Sequence, residues 1–231
     1  MNSKSALAFK EYLKICEEEG EDVLDSLKFS SEDSKMYSNL LDVFIKTNSS
    51  TNTSTATKGK ALENLVEFIF EKSNIFTINK NVRTSTNEID LLVKLNKPGI
   101  DFMKAGYISL DNYLLCECKN YNKTIGVTWT GKFYSLLKTS KKKIGIIFSY
   151  HGLSGKSWSG SSGLVRKINL LSDNTCKILS FSLPDFKLLE QGYSFASIIE
   201  RKIEALDNDT ALNDITSHEL EANNPFISVS E

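Results

Sequence analysis

The sequence predicts an α/β fold: a mixed sheet flanked by helices, with a small helical appendage at the N-terminus. Two observations predict it. Residues 57–73 and 128–139 carry apolar side chains at helical spacing, as Leu62, Leu65, Val66 and Ile69 do in the first segment. Short apolar runs of strand length stand between and after them, in the order helix, three strands, helix, strand, strand.

The elements follow in chain order. Residues 3–19 read as a helix stopped by Gly20, and residues 32–46 as a second, with Met36, Leu40, Val43 and Phe44 near helical spacing. The tract from Thr47 to Thr55 consists of Thr, Ser and Asn alone and reads as a linker. We therefore divide the chain into a helical appendage (1–47), a polar linker (48–56), a sheet-bearing domain (57–206) and a tail (207–231). Strands are expected near 75–80, 88–94 and 112–119. Between the last two, Lys97-Pro98-Gly99 opens an excursion to Asp111, in which Tyr107-Ile108-Ser109-Leu110 is the candidate for an extra strand. Ile144–Phe148 and residues 176–182 read as strands, and 152–163 as a Gly/Ser-rich loop. Residues 184–191 and 194–206 read as helices.

The chemistry concentrates on one strand. Leu115-Cys116-Glu117-Cys118-Lys119 ends 29 residues after Asp90 of Asn87-Glu88-Ile89-Asp90. Side chains alternate along a strand, so Glu117 and Lys119 share one face and Cys116 and Cys118 take the other. An aspartate on a neighbouring strand would bring two carboxylates and an ammonium together. Carboxylate oxygens are ligands that Mg²⁺ prefers, and a lysine beside them can polarise a water. That is equipment for metal-assisted phosphodiester hydrolysis. Glu117 with Lys119 alone could equally be an ordinary same-face salt bridge.

Charge and composition bound the alternatives. At 231 residues, 40% hydrophobic and 25% charged, the chain has the composition of a globular protein. No apolar run approaches the length of a membrane span, and Met1-Asn2-Ser3-Lys4 opens no secretory core. Four cysteines in a chain this long do not make a disulfide framework, so a reduced, cytoplasmic setting is expected. A formal net charge of −1 hides an asymmetry: residues 57–170 hold 18 Lys and Arg against 8 Asp and Glu. Residues 1–56 and 171–231 are acidic. A basic middle suits a polyanion such as nucleic acid, and acidic ends suit a protein partner.

Residues 57 to about 205 resemble a PD-(D/E)xK nuclease, in the Mrr-like branch of restriction endonucleases. The matching pieces are Lys58-Gly59-Lys60-Ala61-Leu62-Glu63, then Glu88-Ile89-Asp90-Leu91-Leu92, then Cys116-Glu117-Cys118-Lys119, followed by an amphipathic helix and Gly145-Ile146-Ile147-Phe148-Ser149. The resemblance implies a restriction-endonuclease-like core and an Mg²⁺-dependent DNA endonuclease, with Mn²⁺ able to substitute and a role in defence against foreign DNA. It implies that Asp90, Glu117 and the backbone carbonyl of Cys118 bind the metal, that Lys119 positions or helps to deprotonate the attacking water and stabilises charge on the phosphate, and that Glu63 orients the site or helps to hold a second metal. Many Mrr-like members place a glutamine in the helix after the lysine; here Lys132 takes that place and is expected to contact phosphate. Cutting both strands needs two sites, so a homodimer or transient dimer on DNA is expected. The alternatives are a non-catalytic DNA-binding or assembly subunit on the same fold, and a structure-specific nuclease.

Lesser signals are weaker. Gly155-Lys156-Ser157 lacks the first glycine of a phosphate-binding P-loop, because Tyr150 stands there. Lys156, Arg166 and Lys167 are expected to touch the DNA backbone. Cys116-x-Cys118 has no second Cys pair or His cluster and does not read as a zinc site. With two histidines, His151 and His218, a histidine-based hydrolase is not expected.

Overall fold

Apolar stripes and strand runs fold into alternating helices and strands. The computed structural model describes residues 3–208 apart from Glu21, residues 84–87 and Asn174. α1 (Ser3–Glu19), a 3-10 turn (Val23–Leu27), α2 (Ser31–Ser49) and α3 (Thr55–Lys72) precede β1 (Phe76–Arg83) and β2 (Glu88–Leu95). Then come α4 (Lys97–Lys104), β3 (Tyr113–Cys118), α5 (Val127–Thr139) and β4 (Ile144–Phe148). The chain continues through α6 (Gly160–Leu171), β5 (Lys177–Phe181), α7 (Leu183–Glu190) and α8 (Phe195–Asp207).

The five strands form one sheet in the order β1-β2-β3-β4-β5. The first three run antiparallel, and β3, β4 and β5 run parallel. Parallel neighbours need a crossover, which α5 and α6 provide. The result is the mixed, helix-flanked sheet of a restriction-endonuclease-like α/β fold.

Two faces of the sheet carry different helices, and this fixes where chemistry can occur. Cys118, Phe148 and Phe181 stand in register on one face. Phe148 is fully buried there, with ring contacts to Phe70 of α3, Phe186 of α7 and Phe195 of α8. Leu115, Gly145 and Ile178 share the other face, under α5. A Cβ at Gly145 would lie 2.6 Å from the Phe133 ring, so glycine lets α5 lie close on the sheet.

The structure corrects several expectations. Residues 107–110 are not a strand. The excursion instead begins with α4, where the Asn96 side chain accepts from the Gly99 N–H and Pro98 occupies the first turn. Residues 160–163, read as loop, begin α6, whose Val165 and Ile168 are buried. The polar tract shortens to residues 50–54, because α2 runs through Ser49 and Ser54 caps α3 by accepting from the Thr57 N–H at 3.1 Å. The appendage also joins the core: Tyr37, Leu41 and Phe44 are buried, and the Tyr37 hydroxyl donates to the Phe186 carbonyl at 2.8 Å. The tail lies outside the described residues beyond Asn208. No helix among the described residues is long and apolar enough to cross a membrane, and all four cysteines are free thiols.

Candidate active site

Register brings the expected carboxylates together. Leu91 opposes Cys116 and Leu92 opposes Leu115, so the same antiparallel register sets Asp90 opposite Glu117 at the end of β3. Asp90 Oδ2 accepts from the Cys118 N–H at 2.9 Å and stands where a ladder carbonyl would otherwise accept. Lys119 Nζ lies 2.5 Å from Glu117 Oε1 and 3.8 Å from Asp90 Oδ2. The Lys119 N–H donates to the Phe148 carbonyl at 2.8 Å, which fixes the backbone at the strand end. Asn87 lies outside the described residues.

The trio is partly withdrawn from water: side-chain exposures are 30% for Asp90, 13% for Glu117 and 22% for Lys119. Burial, then the charge of Asp90, pushes the Glu117 carboxyl above its usual range, against the hydrogen bond from Lys119. Burial would lower Lys119, but the hydrogen bond and charge of Glu117, with Asp90 behind it, carry it above its ordinary value. Lys119 is therefore a fixed cation. It can orient a water or stabilise an oxyanion, but it is a poor proton acceptor.

An aromatic shelf flanks the lysine. Lys119 Nζ stands 5.3 Å from the Trp129 ring centre and Lys132 Nζ stands 4.7 Å from it, with Tyr121 6.0 Å from Trp129. Trp129 sits in the first turn of α5 and remains 39% exposed. Sequence reading missed Trp129 and Tyr121. A tryptophan ten residues after Lys119 was the signal available.

Other expected residues fall elsewhere. The Glu63 carboxylate pairs with Lys60 at 3.2 Å, and no ion pair or hydrogen bond among the described residues joins it to the trio. Its charge is felt by the Cys118 thiol, on the α3 face. Arg166 is buried, with its guanidinium 5.9 Å from the Trp158 ring centre, and so does not present a DNA contact. Lys156 and Lys167 are exposed, on the loop after β4 and on α6. Burial pushes the Cys116 and Cys118 thiols well above their usual range, which leaves neither as a thiolate nucleophile or soft metal ligand.

No cluster of three or more His, Cys, Asp or Glu side chains suited to a metal occurs among the described residues. Two adjoining carboxylates are nonetheless a hard-oxygen set. Mg²⁺ is commonly held by one or two carboxylates, with water and substrate phosphate completing its shell. Asp90 and Glu117 carry two negative charges against the single ammonium of Lys119. The donor set fits such an ion.

A family model described as "Restriction endonuclease", Mrr_cat, matches residues 55–176. The chain belongs to this restriction endonuclease family. The match spans α3 through the end of α6 and includes the trio and the aromatic shelf. A UPF0102 protein of Clostridium acetobutylicum is 33% identical over 78 residues, covering 33% of this chain and 63% of its own length. The chain thus spans just under two thirds of that relative. No solved structure gives a significant match.

Proposed function

We propose that this member of the restriction endonuclease family is an Mg²⁺-dependent DNA endonuclease acting against foreign DNA. The observation that carries the reading is the contact group of Asp90, Glu117 and Lys119 at the end of β3. Asp90, Glu117 and the Cys118 carbonyl would hold Mg²⁺, or Mn²⁺ in its place, which supplies Lewis-acid polarisation of a phosphoryl oxygen and a more acidic bound water. Lys119 orients the attacking water and offsets the charge that develops on the phosphate. Lys132, Lys156 and Lys167 steer the DNA backbone toward the strand end. Glu63, whose charge reaches Cys118 from α3, would orient the site or help to hold a second metal, since its surface pair with Lys60 is exposed and readily exchanged. Double-strand cleavage would pair two copies on the DNA.

Plasmid DNA incubated with the purified protein tests this directly. Nicked or linear products are expected with Mg²⁺, none with EDTA, and recovery on adding excess Mg²⁺ or Mn²⁺. Cleavage that persists in EDTA sinks the reading. Trp129 beside the catalytic lysine favours a second reading, structure-specific cleavage, because an exposed indole can stack on an unpaired base. Branched and single-stranded substrates in the same assay separate the two.

A pH dependence follows from Glu117. Its carboxyl is raised by burial and by Asp90, so protons compete for it at a pH above the ordinary glutamate range. Protonation removes a metal ligand. The Mg²⁺ concentration for half-saturation is therefore expected to rise as pH falls through that range, and to level off above it. Mg²⁺ titration of tryptophan fluorescence at stepped pH measures it. An affinity independent of pH down to the ordinary carboxylate range would exclude Glu117 as a ligand.

A further inference from the structure

We propose a second phosphate-binding site in the cavity around Lys58, taking a phosphate group of the polynucleotide whose scissile bond lies at Lys119. The proposal rests on the nuclease reading for its ligand, but its geometry is independent of the catalytic trio.

Lys58 is 4% exposed. Its Nζ donates to Asn122 Oδ1 at 3.1 Å and to the Asn48 carbonyl at 3.4 Å, both neutral acceptors. Among the described residues no carboxylate lies within ion-pair distance of it. The other largely buried ammonium groups differ. Lys202 pairs with Asp185 at 2.7 Å, and Lys119 has Glu117. A buried cation without a counter-charge is costly, because two dipoles do not replace the lost hydration. An ammonium has three donors, so one remains after these two bonds.

The surroundings specify an anion. Lys58 lines a cavity of about 350 Å³ together with the hydroxyl-rich turn at residues 49–55, Asn122 and His151. The lining holds no carboxylate and no aliphatic side chain, so neither a metal cation nor an apolar ligand suits it. Hydroxyl, amide and ammonium donors together match phosphate oxygens. By contrast, the cavity of about 310 Å³ beside β5 contains Asp185, already paired with Lys202, and offers no free charge.

Position ties the cavity to catalysis. The Asn120 side-chain amide donates to the Lys58 carbonyl at 2.7 Å, and Asn122 holds the Lys58 ammonium. Asn120 follows Lys119 directly in the chain, and Asn122 lies three residues after it. Three residues span at most about 11 Å between Cα atoms, a length that a nucleic-acid strand covers in a few nucleotides. A phosphate at Lys58 would set the strand in register with the trio.

Asn122→Asp tests the site without cutting into the core, since Asn122 is exposed and the new carboxylate would meet the ammonium. Binding of a fluorescent duplex is read by anisotropy in EDTA, across a salt series, for the wild type, Asn122→Asp and Asn112→Asp, which makes the same charge change at an exposed position outside the cavity lining. Asn122→Asp is expected to weaken binding about tenfold and to lower the salt slope by about one, with Asn112→Asp close to wild type. Duplexes with and without 5′-phosphates distinguish an internal from a terminal phosphate. If Asn122→Asp is folded by circular dichroism yet binds like the wild type with an unchanged salt slope, Lys58 is a structural tie only and the proposal is overturned. Undetectable binding by the wild type overturns it as well. Cleavage in Mg²⁺ is scored separately, so loss of the nuclease reading leaves the binding contrast intact.

Discussion

Asp90→Asn is expected to lower the plasmid cleavage rate by about 10²- to 10³-fold while leaving the fold unchanged. The substitution separates two tasks of one side chain. Asp90 Oδ2 accepts from the Cys118 N–H at 2.9 Å, and an asparagine oxygen can accept the same bond. The strand end should therefore keep its geometry. What disappears is the charge opposite Glu117. On the proposed reading this removes a metal ligand, and Lys119, 3.8 Å away, loses its second carboxylate partner. Initial rates of supercoil loss, with a thermal melt on the same sample, measure both effects. A rate within tenfold of wild type at an unchanged melting point would remove Asp90 from the metal site.

Phe148→Ala is expected to destabilise the protein by about 3–5 kcal/mol. Phe148 is fully buried between Cys118 and Phe181 of its neighbouring strands, and three helices place rings on it: Phe70, Phe186 and Phe195. Truncation leaves a cavity that those rings, each held by others, cannot fill by small shifts. For a chain of this size the melting point should fall by about 6–20 °C. Activity should fall more steeply with temperature than in the wild type, because the Phe148 carbonyl receives the Lys119 N–H. Denaturant unfolding provides the number. A loss below about 1 kcal/mol would mean that the aromatic cluster does not hold the helices to the sheet.

The Glu117–Lys119 pair was legible in sequence because its logic is local. Alternation along β3 puts Glu117 and Lys119 on one face whatever else the chain does. The elements that escaped reading are those whose local signals oppose their final state. α6 begins Gly160-Ser161-Ser162-Gly163, a weak helix former, yet burial of Val165 and Ile168 and the crossover between parallel β4 and β5 hold it helical. Lys97-Pro98-Gly99 carries turn chemistry, but the Asn96 cap makes the same residues the first turn of α4.

One site assignment changed for a different reason. Arg166 was expected to touch the DNA backbone, but its segment folds as α6 and buries it.

By itself the sequence determined the composition of β3, the alternation that pairs Glu117 with Lys119, and the concentration of basic residues in the middle of the chain. Those properties depend on neighbours in the chain. Only the tertiary structure decided that Asp90 opposes Glu117, that Trp129 lies against Lys119, and that Lys58 is buried beside Asn122 without a counter-charge. Each of these depends on a strand register or a helix docking face, which packing of distant residues sets and no local pattern encodes.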